Sequence, residues 1–169
     1  MIIVLLAEGF EEIEALTPVD MLRRGNFEVK TVAVTADKTV VGSHGISVIA
    51  DATIGEINLN EVDMAIFPGG MPGSLNLDAF CRTDEIIDTV LGHGGRIAAI
   101  CAAPLVFGRR GLLKGKKATC FPGFENELIG AQVMDCDVVT DGQITTGKGM
   151  EYSLPFAKEL VKLAGEIQK

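Results

Sequence analysis

Apolar residues along the chain fall into short unbroken runs, separated by longer stretches in which apolar and polar positions mix. Unbroken runs are typical of strands buried on both faces of a parallel sheet, and the mixed stretches have helical spacing. On the first predicted helix the apolar stripe consists of Ile13, Leu16, Thr17 and Met21. In chain order the predicted core strands are 2–7, 27–35, 63–67 and 96–100, and the predicted helices are 11–24, one or two within 74–91, 102–110 and 151–165.

This alternation predicts an α/β fold, namely a flavodoxin-like, doubly wound parallel sheet sandwiched by helices. Hairpins at 40–50 and 137–146 and a short strand at 118–120 complete it, in a single domain over residues 1–169. Ligands bind beyond the carboxyl ends of the strands in such folds. The segments that deserve inspection are therefore 8–14, 68–73, 101–104 and 120–124.

Composition narrows the possible partners. Hydrophobic residues make up 47% of the 169 residues and charged residues 22%, which excludes a disordered chain. The net charge of −8 offers no positive field to a nucleic acid or to an anionic membrane, and there is no tryptophan. The run 2–7 is too short to span a membrane and has no basic flank, so we expect a cytoplasmic protein.

Four cysteines and two histidines limit the metal chemistry. No pair of cysteines has the C-x-x-C spacing of a zinc site, so we expect no metal, no cofactor and no disulfide framework. Each thiol must then be judged alone. We expect Cys81, Cys120 and Cys136 to be filler or surface residues.

Cys101 stands between a predicted strand and a predicted helix, in Ala-Ala-Ile-Cys-Ala-Ala-Pro. Such an elbow holds a side chain above the sheet edge, and small neighbours fit the crowding. Free N–H groups and the positive end of a helix dipole would lower the pKa of a thiol placed there. A buried apolar cysteine is the other interpretation that this position allows.

Gly69 and Gly70 follow a core strand, in Phe-Pro-Gly-Gly. Two glycines allow the backbone to approach a ligand and to point N–H donors at it. Those donors could hold an oxyanion formed by attack of Cys101 on a carbonyl group. A tight exit from the strand explains the same residues without any ligand.

Glu14 lies on the first predicted helix, on the face shared by Thr17 and Met21. A carboxyl group at the edge of a buried stripe has to be paired or protonated. A protonated glutamate beside a thiolate could donate a hydrogen bond and serve as a general acid and base. A solvated helix position is the alternative.

A glycine-rich segment and the two histidines resemble functional residues but have simpler interpretations. The segment 142–149 resembles a phosphate-binding loop but lacks the Ser or Thr that would bind magnesium, and Asp141-Gly142 favours a hairpin turn. His93 precedes a strand and should lie on the rim opposite Cys101. His44 sits in a turn and could reach Cys101 only through the fold or through a partner subunit.

Four segments together resemble the DJ-1/ThiJ/PfpI superfamily, specifically its DJ-1/ThiJ branch. They are Ala-Glu-Gly-Phe-Glu-Glu-Ile-Glu at 7–14, Pro-Val-Asp at 18–20 with Arg-Arg-Gly at 23–25, Phe-Pro-Gly-Gly at 67–70, and 98–104. They fall in order over most of the chain, and the combination is far more specific than any one of them.

The resemblance implies a flavodoxin-like homodimer whose elbow cysteine, Cys101, is acidic and easily oxidised to sulfinate. It implies a protonated glutamate at Glu14, backbone amides of Gly70 and Ala102 in the same pocket, and Gly69 and Phe121 in its lining. Family activities include cofactor-free conversion of methylglyoxal to lactate, deglycation, and redox-linked chaperone behaviour.

Three departures from the family pattern matter. Phe121 stands where some relatives carry a histidine, so a Cys–His relay is not expected. Ala102 stands where the protease-like branch has a histidine, which argues against a peptidase. The sequence ends at Lys169, without the extra C-terminal helix of longer members, so we expect a more open pocket.

Two hypotheses of different class follow. In the first, the protein is an enzyme that converts a small 2-oxoaldehyde to a hydroxy acid, with Cys101 as nucleophile and Glu14 as proton shuttle. In the second, it is a redox sensor or chaperone that acts through oxidation of Cys101. An inert scaffold is a third possibility.

Overall fold

The structure, a computed structural model, describes residues 1–167. Sixteen strands and helices follow one another along this part of the chain. They are β1 (Ile2–Leu6), α1 (Glu12–Arg24), β2 (Val29–Ala33), β3 (Thr39–Val41), β4 (Ser47–Ile49), β5 (Ala52–Thr53), β6 (Met64–Phe67), α2 (Gly73–Ala79), α3 (Thr83–Gly92), β7 (Arg96–Ile100), α4 (Pro104–Arg109), β8 (Lys117–Ala118), β9 (Gln132–Val133), β10 (Val138–Asp141), β11 (Ile144–Gly147) and α5 (Ser153–Ile167).

The central sheet has seven strands in the order β10-β11-β7-β6-β1-β2-β5. All neighbours are parallel except β10 and β11, which form an antiparallel hairpin. The chain moves outward from β1 in one direction through β2 and in the other through β6 and β7. The strand order therefore reverses beside β1, which is where doubly wound folds form a ligand crevice.

Both faces of the sheet are covered, so the core has two layers. In β1, Ile3 and Leu5 contribute to one layer, while Val4 and Leu6 contribute to the other. Helices α2, α3 and α4 pack on the first layer, and α1 and α5 pack on the second. This arrangement confirms the predicted α/β fold with a parallel sheet between helices. None of the helices in residues 1–167 is long and apolar enough to cross a membrane.

The face of α1 that packs on the sheet is not the predicted one. Ile13 and Leu16 of the predicted stripe are 47% and 37% exposed, whereas Ala15, Val19 and Leu22 are buried. Helix α1 carries two apolar stripes, and spacing alone does not say which one meets the sheet. The prediction of a buried Ile13 stripe was wrong, and α1 presents apolar side chains to solvent.

The remaining differences are at the margins of the sheet. Residues 39–49 form a separate two-stranded ribbon, and β5 rather than this ribbon occupies the edge of the sheet. The hairpin of β10 and β11 is confirmed, with Gly142 in its turn at a φ of +64°. Helix α4 begins at Pro104 rather than at Ala102, because residues 101–103 make the turn that leaves β7.

Candidate functional site

Three strand ends converge on one point of the crevice. Cys101 directly follows strand β7, Gly69 and Gly70 come two and three residues after the end of its neighbour β6, and β1, the next strand along, leads into α1 and Glu14. Parallel neighbours end at the same edge of a sheet, so these groups meet there. The structure thus brings together the residues that the sequence singled out at separate strand ends.

Cys101 occupies a sharp elbow. Its φ is +65°, in the left-handed region that residues with a Cβ rarely adopt. Two backbone hydrogen bonds fix it: its N–H donates to the carbonyl of Gly147 at 2.9 Å, and its carbonyl accepts from the N–H of Phe121 at 2.8 Å. A left-handed residue costs about 1–2 kcal/mol relative to ordinary backbone, and such strain clusters at functional sites.

Gly69 leaves the space in which the cysteine and the glutamate meet. A Cβ built on Gly69 would overlap Oε2 of Glu14 and would lie 2.6 Å from Cβ of Cys101. The side chains of Glu14 and Cys101 therefore both border the space that a Cβ of residue 69 would occupy. Any other residue at position 69 would push them apart.

Gly70 packs against the beginning of α1. Its φ is +91°, and a Cβ there would overlap the amide nitrogen of Glu11 and lie 2.6 Å from the carbonyl oxygen of Gly9. The backbone N–H groups of Gly70 and Ala102 both act to lower the pKa of the Cys101 thiol. These are the two amides that the family resemblance implies, and their role in a shared pocket stays a prediction.

Glu14 is a buried carboxyl group without an ordinary partner. Its side chain has 0% exposure, and neither Oε1 nor Oε2 accepts a hydrogen bond of normal geometry from any residue in the described part of the chain. Burial raises its pKa to about 7, although the nearby thiol of Cys101 acts in the opposite direction. A charged carboxylate is costly in such a place, so the neutral acid is favoured below that pH.

The thiol of Cys101 differs from the prediction made from its position. Burial, followed by the negative charge of Glu14, raises its pKa to about 12 and outweighs the two amides. A short α4 of six residues supplies little dipole, and desolvation dominates. In the assembled crevice, burial therefore opposes the lowering of the thiol pKa that the elbow's amides produce. Cys101 and Glu14 instead hold one negative charge between them over a wide pH range.

Phe121 lies beside the elbow with its ring 46% exposed. Its ring packs over the backbone of Gly149, where a Cβ would come within 3.0 Å of Cδ2. Together these residues border a groove of about 480 Å³ between the segments 121–122 and 148–152. A larger cavity of about 720 Å³ lies elsewhere, between β10 and α5, and contains none of the predicted site residues.

Sequence reasoning missed a polar cluster at the beginning of α1. Buried Glu12 accepts hydrogen bonds from Nδ1 of His44 at 2.9 Å and from the backbone N–H of His44 at 2.8 Å, and Glu11 lies 3.5 Å from the same ring. These ligand atoms lie within 4.8 Å of one another, a spacing that a cation could share. Hydrogen bonds already satisfy Glu12, so the cluster needs no ion. The signal in the sequence that could have indicated this cluster is the pair of consecutive glutamates at 11–12 together with a histidine in a predicted turn.

His93 lies on the rim opposite Cys101, as the sequence predicted, and the ring of His44, for which the sequence left contact with Cys101 open, makes its contacts elsewhere. The ring of His44 contacts Glu12, Glu11 and Ser43, none of which is the nucleophile candidate. Nε2 of His93 lies 2.9 Å from the carbonyl oxygen of Val62, at the opposite rim of the sheet. Within residues 1–167, neither ring hydrogen-bonds to Cys101.

A doubly wound sheet with an elbow cysteine beside a buried carboxyl group defines a class of α/β proteins with a single thiol at the crevice. Comparison with known proteins identifies the class more closely, because the model of the DJ-1/PfpI family matches residues 1–163. The chain belongs to the DJ-1/PfpI family, as its motifs indicated.

Individual relatives agree with this assignment. Protein DJ-1 homolog B of Arabidopsis thaliana is 36% identical over 166 residues, which are 95% of this chain but 38% of that protein's length. A protein named as a deglycase from Pyrococcus horikoshii is 31% identical over 165 residues, 96% of this chain and 98% of its own. The solved structure of a DJ-1 superfamily protein from Salmonella typhimurium, a cysteine-to-alanine mutant, has a TM-score of 0.90 at 35% identity and covers 97% of this chain and 90% of that one.

Proposed function

We propose that this protein is a cysteine-dependent enzyme of stress response that converts small 2-oxoaldehydes, such as methylglyoxal, to hydroxy acids. The observation that carries this proposal is the buried, unpartnered carboxyl group of Glu14 across Gly69 from Cys101. A group in that position can hold a proton for the sulfur and return it to a substrate. The relative named as a deglycase supports carbonyl chemistry as the general class.

The first step is addition of sulfur to the aldehyde. In the reactive form the shared negative charge resides on Sγ of Cys101, which the amides of Gly70 and Ala102 face, and the proton resides on Glu14. Sγ forms a bond to the aldehyde carbon, the carbonyl π electrons move to oxygen, and that oxygen takes the proton of Glu14. The product is a hemithioacetal, and the two amides stabilise the oxyanion on the way.

The second step is an internal transfer of hydrogen. The Glu14 carboxylate removes the proton from the hemithioacetal carbon, and the electrons move toward the adjoining ketone. Glu14 then delivers that proton to the former ketone carbon, and the hydroxyl proton of the hemithioacetal passes to the former ketone oxygen, so one carbon is oxidised to a thioester and its neighbour is reduced to an alcohol. Water hydrolyses the resulting thioester, releases the 2-hydroxy acid and restores the thiol. The reaction balances without an external oxidant or reductant, so no cofactor is proposed.

Lactate formation from methylglyoxal tests this proposal. We expect measurable turnover in the wild type, none above background in Cys101→Ala, and a loss of about 10²- to 10⁴-fold in Glu14→Gln, the size typical of a missing general acid–base group. The matched control is Cys81→Ala, because Cys81 is an exposed free cysteine and its loss should leave the rate unchanged. Equal rates in wild type and Cys101→Ala, or none in either, would refute the proposal.

A redox function is the second candidate, supported by the partial exposure of Cys101 next to a proton donor. Peroxide would take the sulfur through sulfenic acid to sulfinate, which the Glu14 carboxyl could hydrogen-bond. Mass spectrometry after mild peroxide treatment should show a gain of two oxygen atoms on the peptide that contains Cys101. The same gain in the intact mass of Cys101→Ser would contradict a role for this residue.

We also propose that the protein is a homodimer in which the exposed stripe of α1 forms the contact. Ile13, Leu16, Ile46 and Leu154 are 47%, 37%, 55% and 46% exposed, and all four line one shallow surface. Contiguous apolar surface of this kind on a monomer marks an interaction site. The cytoplasm remains the proposed compartment.

A further inference from the structure

The groove beside Phe121 is lined by several large apolar and aromatic side chains. One wall is formed by Phe121 and Pro122, and the other by residues 148–152, including Met150 and Tyr152. Phe121 and Met150 are each 46% exposed, so two large apolar side chains of the groove are open to a ligand. The volume of about 480 Å³ is within the range of small-molecule sites.

Both walls are attached to the elbow. The N–H of Phe121 donates to the carbonyl of Cys101 at 2.8 Å, and the N–H of Cys101 donates to the carbonyl of Gly147 at 2.9 Å. Gly147 ends β11, which neighbours β7 on the side opposite β6. The backbone of Cys101 is therefore joined to Phe121 of one wall and to Gly147, which directly precedes the other wall, while Gly69 and Glu14 lie on the β6 side of the elbow.

The charges of the groove argue against an anionic occupant. Lys148 is its one cation among the lining residues, and Nζ of Lys148 is held by Asp135 at 2.6 Å and lies 5.9 Å from the ring centre of Tyr152. Glu151 adds a negative charge to the same wall. The side chains left to contact a ligand are the aromatic rings of Phe121 and Tyr152 and the thioether of Met150, and they favour apolar and aromatic ligand groups.

We propose that this groove is a specificity subsite that holds the substituent on the ketone carbon of the 2-oxoaldehyde, and that it selects aromatic or branched substituents over methyl. This inference rests on the proposed function, because it names the substrate class of the same site. Phe121 and Met150 are the specificity residues. They contact the substituent, while Cys101 and Glu14 act on the two reacting carbons.

Selectivity is measured as the ratio of kcat/KM for phenylglyoxal to that for methylglyoxal. We expect Met150→Ala to lower this ratio about tenfold, the lower end of the discrimination that a missing apolar contact produces. Met150→Leu, which keeps an apolar side chain of similar volume, should retain the ratio within about twofold. Ile129→Ala is the control, because Ile129 is 56% exposed and lies outside the groove. An unchanged ratio in Met150→Ala would overturn the subsite.

A second measurement does not depend on turnover. The rate of Cys101 alkylation by N-phenyl iodoacetamide is divided by that for iodoacetamide, and each rate is normalised to a free thiol in solution. The wild type should favour the phenyl reagent, and Met150→Ala should lose that preference while Ile129→Ala keeps it. Aryl preference without turnover of either aldehyde would support the groove and refute the proposed enzyme. Turnover without any aryl preference in either assay would refute the groove alone.

Discussion

At the scale of single residues, the site depends on one proton that two side chains share. Burial raises the pKa of Glu14 to about 7, and burial together with the Glu14 charge raises the pKa of Cys101 to about 12. The first proton lost near neutrality belongs to the pair, and the second is held strongly. Whether the sulfur or the carboxylate carries the charge decides whether the thiol is a nucleophile at neutral pH.

The pH dependence of Cys101 alkylation distinguishes these two states. If the charge resides on sulfur, the wild-type rate should rise with an inflection near pH 7, and Glu14→Ala should move the inflection upward because it removes the hydrogen bond to the thiolate. Peptide-resolved labelling with iodoacetamide measures the rate at Cys101 alone. An inflection well above pH 9 in the wild type that moves downward in Glu14→Ala would show that the charge resides on Glu14.

Glu14 should also make the fold less stable as the pH rises. Its pKa is about 7 in the folded chain against the ordinary 4.5 of a glutamate side chain, so the folded state binds an extra proton between these pH values. Its stabilising effect is complete below pH 4.5 and is lost by pH 7, a change of about 3 kcal/mol.

Urea unfolding at pH 5 and pH 8.5 tests this expectation. Relative to the wild type, Glu14→Gln should gain free energy of unfolding at the higher pH, because the amide cannot ionise. Glu151→Gln, on an exposed residue, is the control. The same difference from wild type at both pH values would mean that Glu14 is not buried as a neutral acid.

At the scale of elements, the buried carboxylate of Glu12 joins the β3–β4 ribbon to the beginning of α1. Burial alone would raise the pKa of Glu12, but hydrogen bonds from the ring and backbone of His44 and from the backbone of Ile46 lower it to about 2. The His44 ring, bonded to Glu12 and near the charge of Glu11, has its own pKa raised. The ribbon thus holds the beginning of the helix that carries Glu14.

Removal of the His44 ring should destabilise the fold more at low pH than at high pH. A raised folded pKa means that the contribution is complete below the ordinary histidine pKa and disappears as the pH rises through the folded value. The Tm of His44→Ala should therefore lie further below the wild type at pH 5.5 than at pH 8.5. The control His93→Ala removes a ring that bonds a backbone carbonyl. A larger Tm difference at pH 8.5 would contradict a stabilising contact between a protonated His44 and Glu12.

The sequence predicted the positions of Cys101, Gly69 and Gly70 because each directly follows an unbroken apolar run whose end is visible. Glu14 was ambiguous, because its burial depends on the missing side chain of Gly69, a contact 55 residues away that helix spacing does not contain. The raised pKa of Cys101 was missed for the same reason, since desolvation is a property of the assembled crevice. The hydrogen bonds between His44 and Glu12 likewise form only when the β3–β4 ribbon meets the beginning of α1.

At the scale of the whole molecule, helices cover both core layers of the sheet, whereas the apolar stripe on the outer face of α1 is exposed to solvent. The buried residues of α1 and α5 pack on the sheet, while the exposed stripe around Leu16 points outward. The stripe begins at Ile13, which stands between Glu12 and Glu14 in the sequence. A partner on this surface would therefore lie close to the crevice that holds Cys101.

The proposed homodimer has a direct test. Size exclusion with light scattering at micromolar concentration should give twice 17.9 kDa for the wild type. Leu16→Arg should shift the mass to that of one chain, because a charge in the centre of an apolar contact is left unpaired. Ile129→Arg places the same charge on an exposed apolar residue elsewhere and should leave the dimer intact. A wild-type monomer would contradict the dimer.

The left-handed backbone of Cys101 sets folding against reactivity at one position. Glycine adopts a φ of +65° without strain, so a glycine there should fold more stably than an alanine, the reverse of the order in ordinary backbone. The stability of the fold therefore does not require a cysteine at position 101. A variant without the thiol could still reach its native structure. Abundance of correctly folded protein would be a poor measure of whether this site still works.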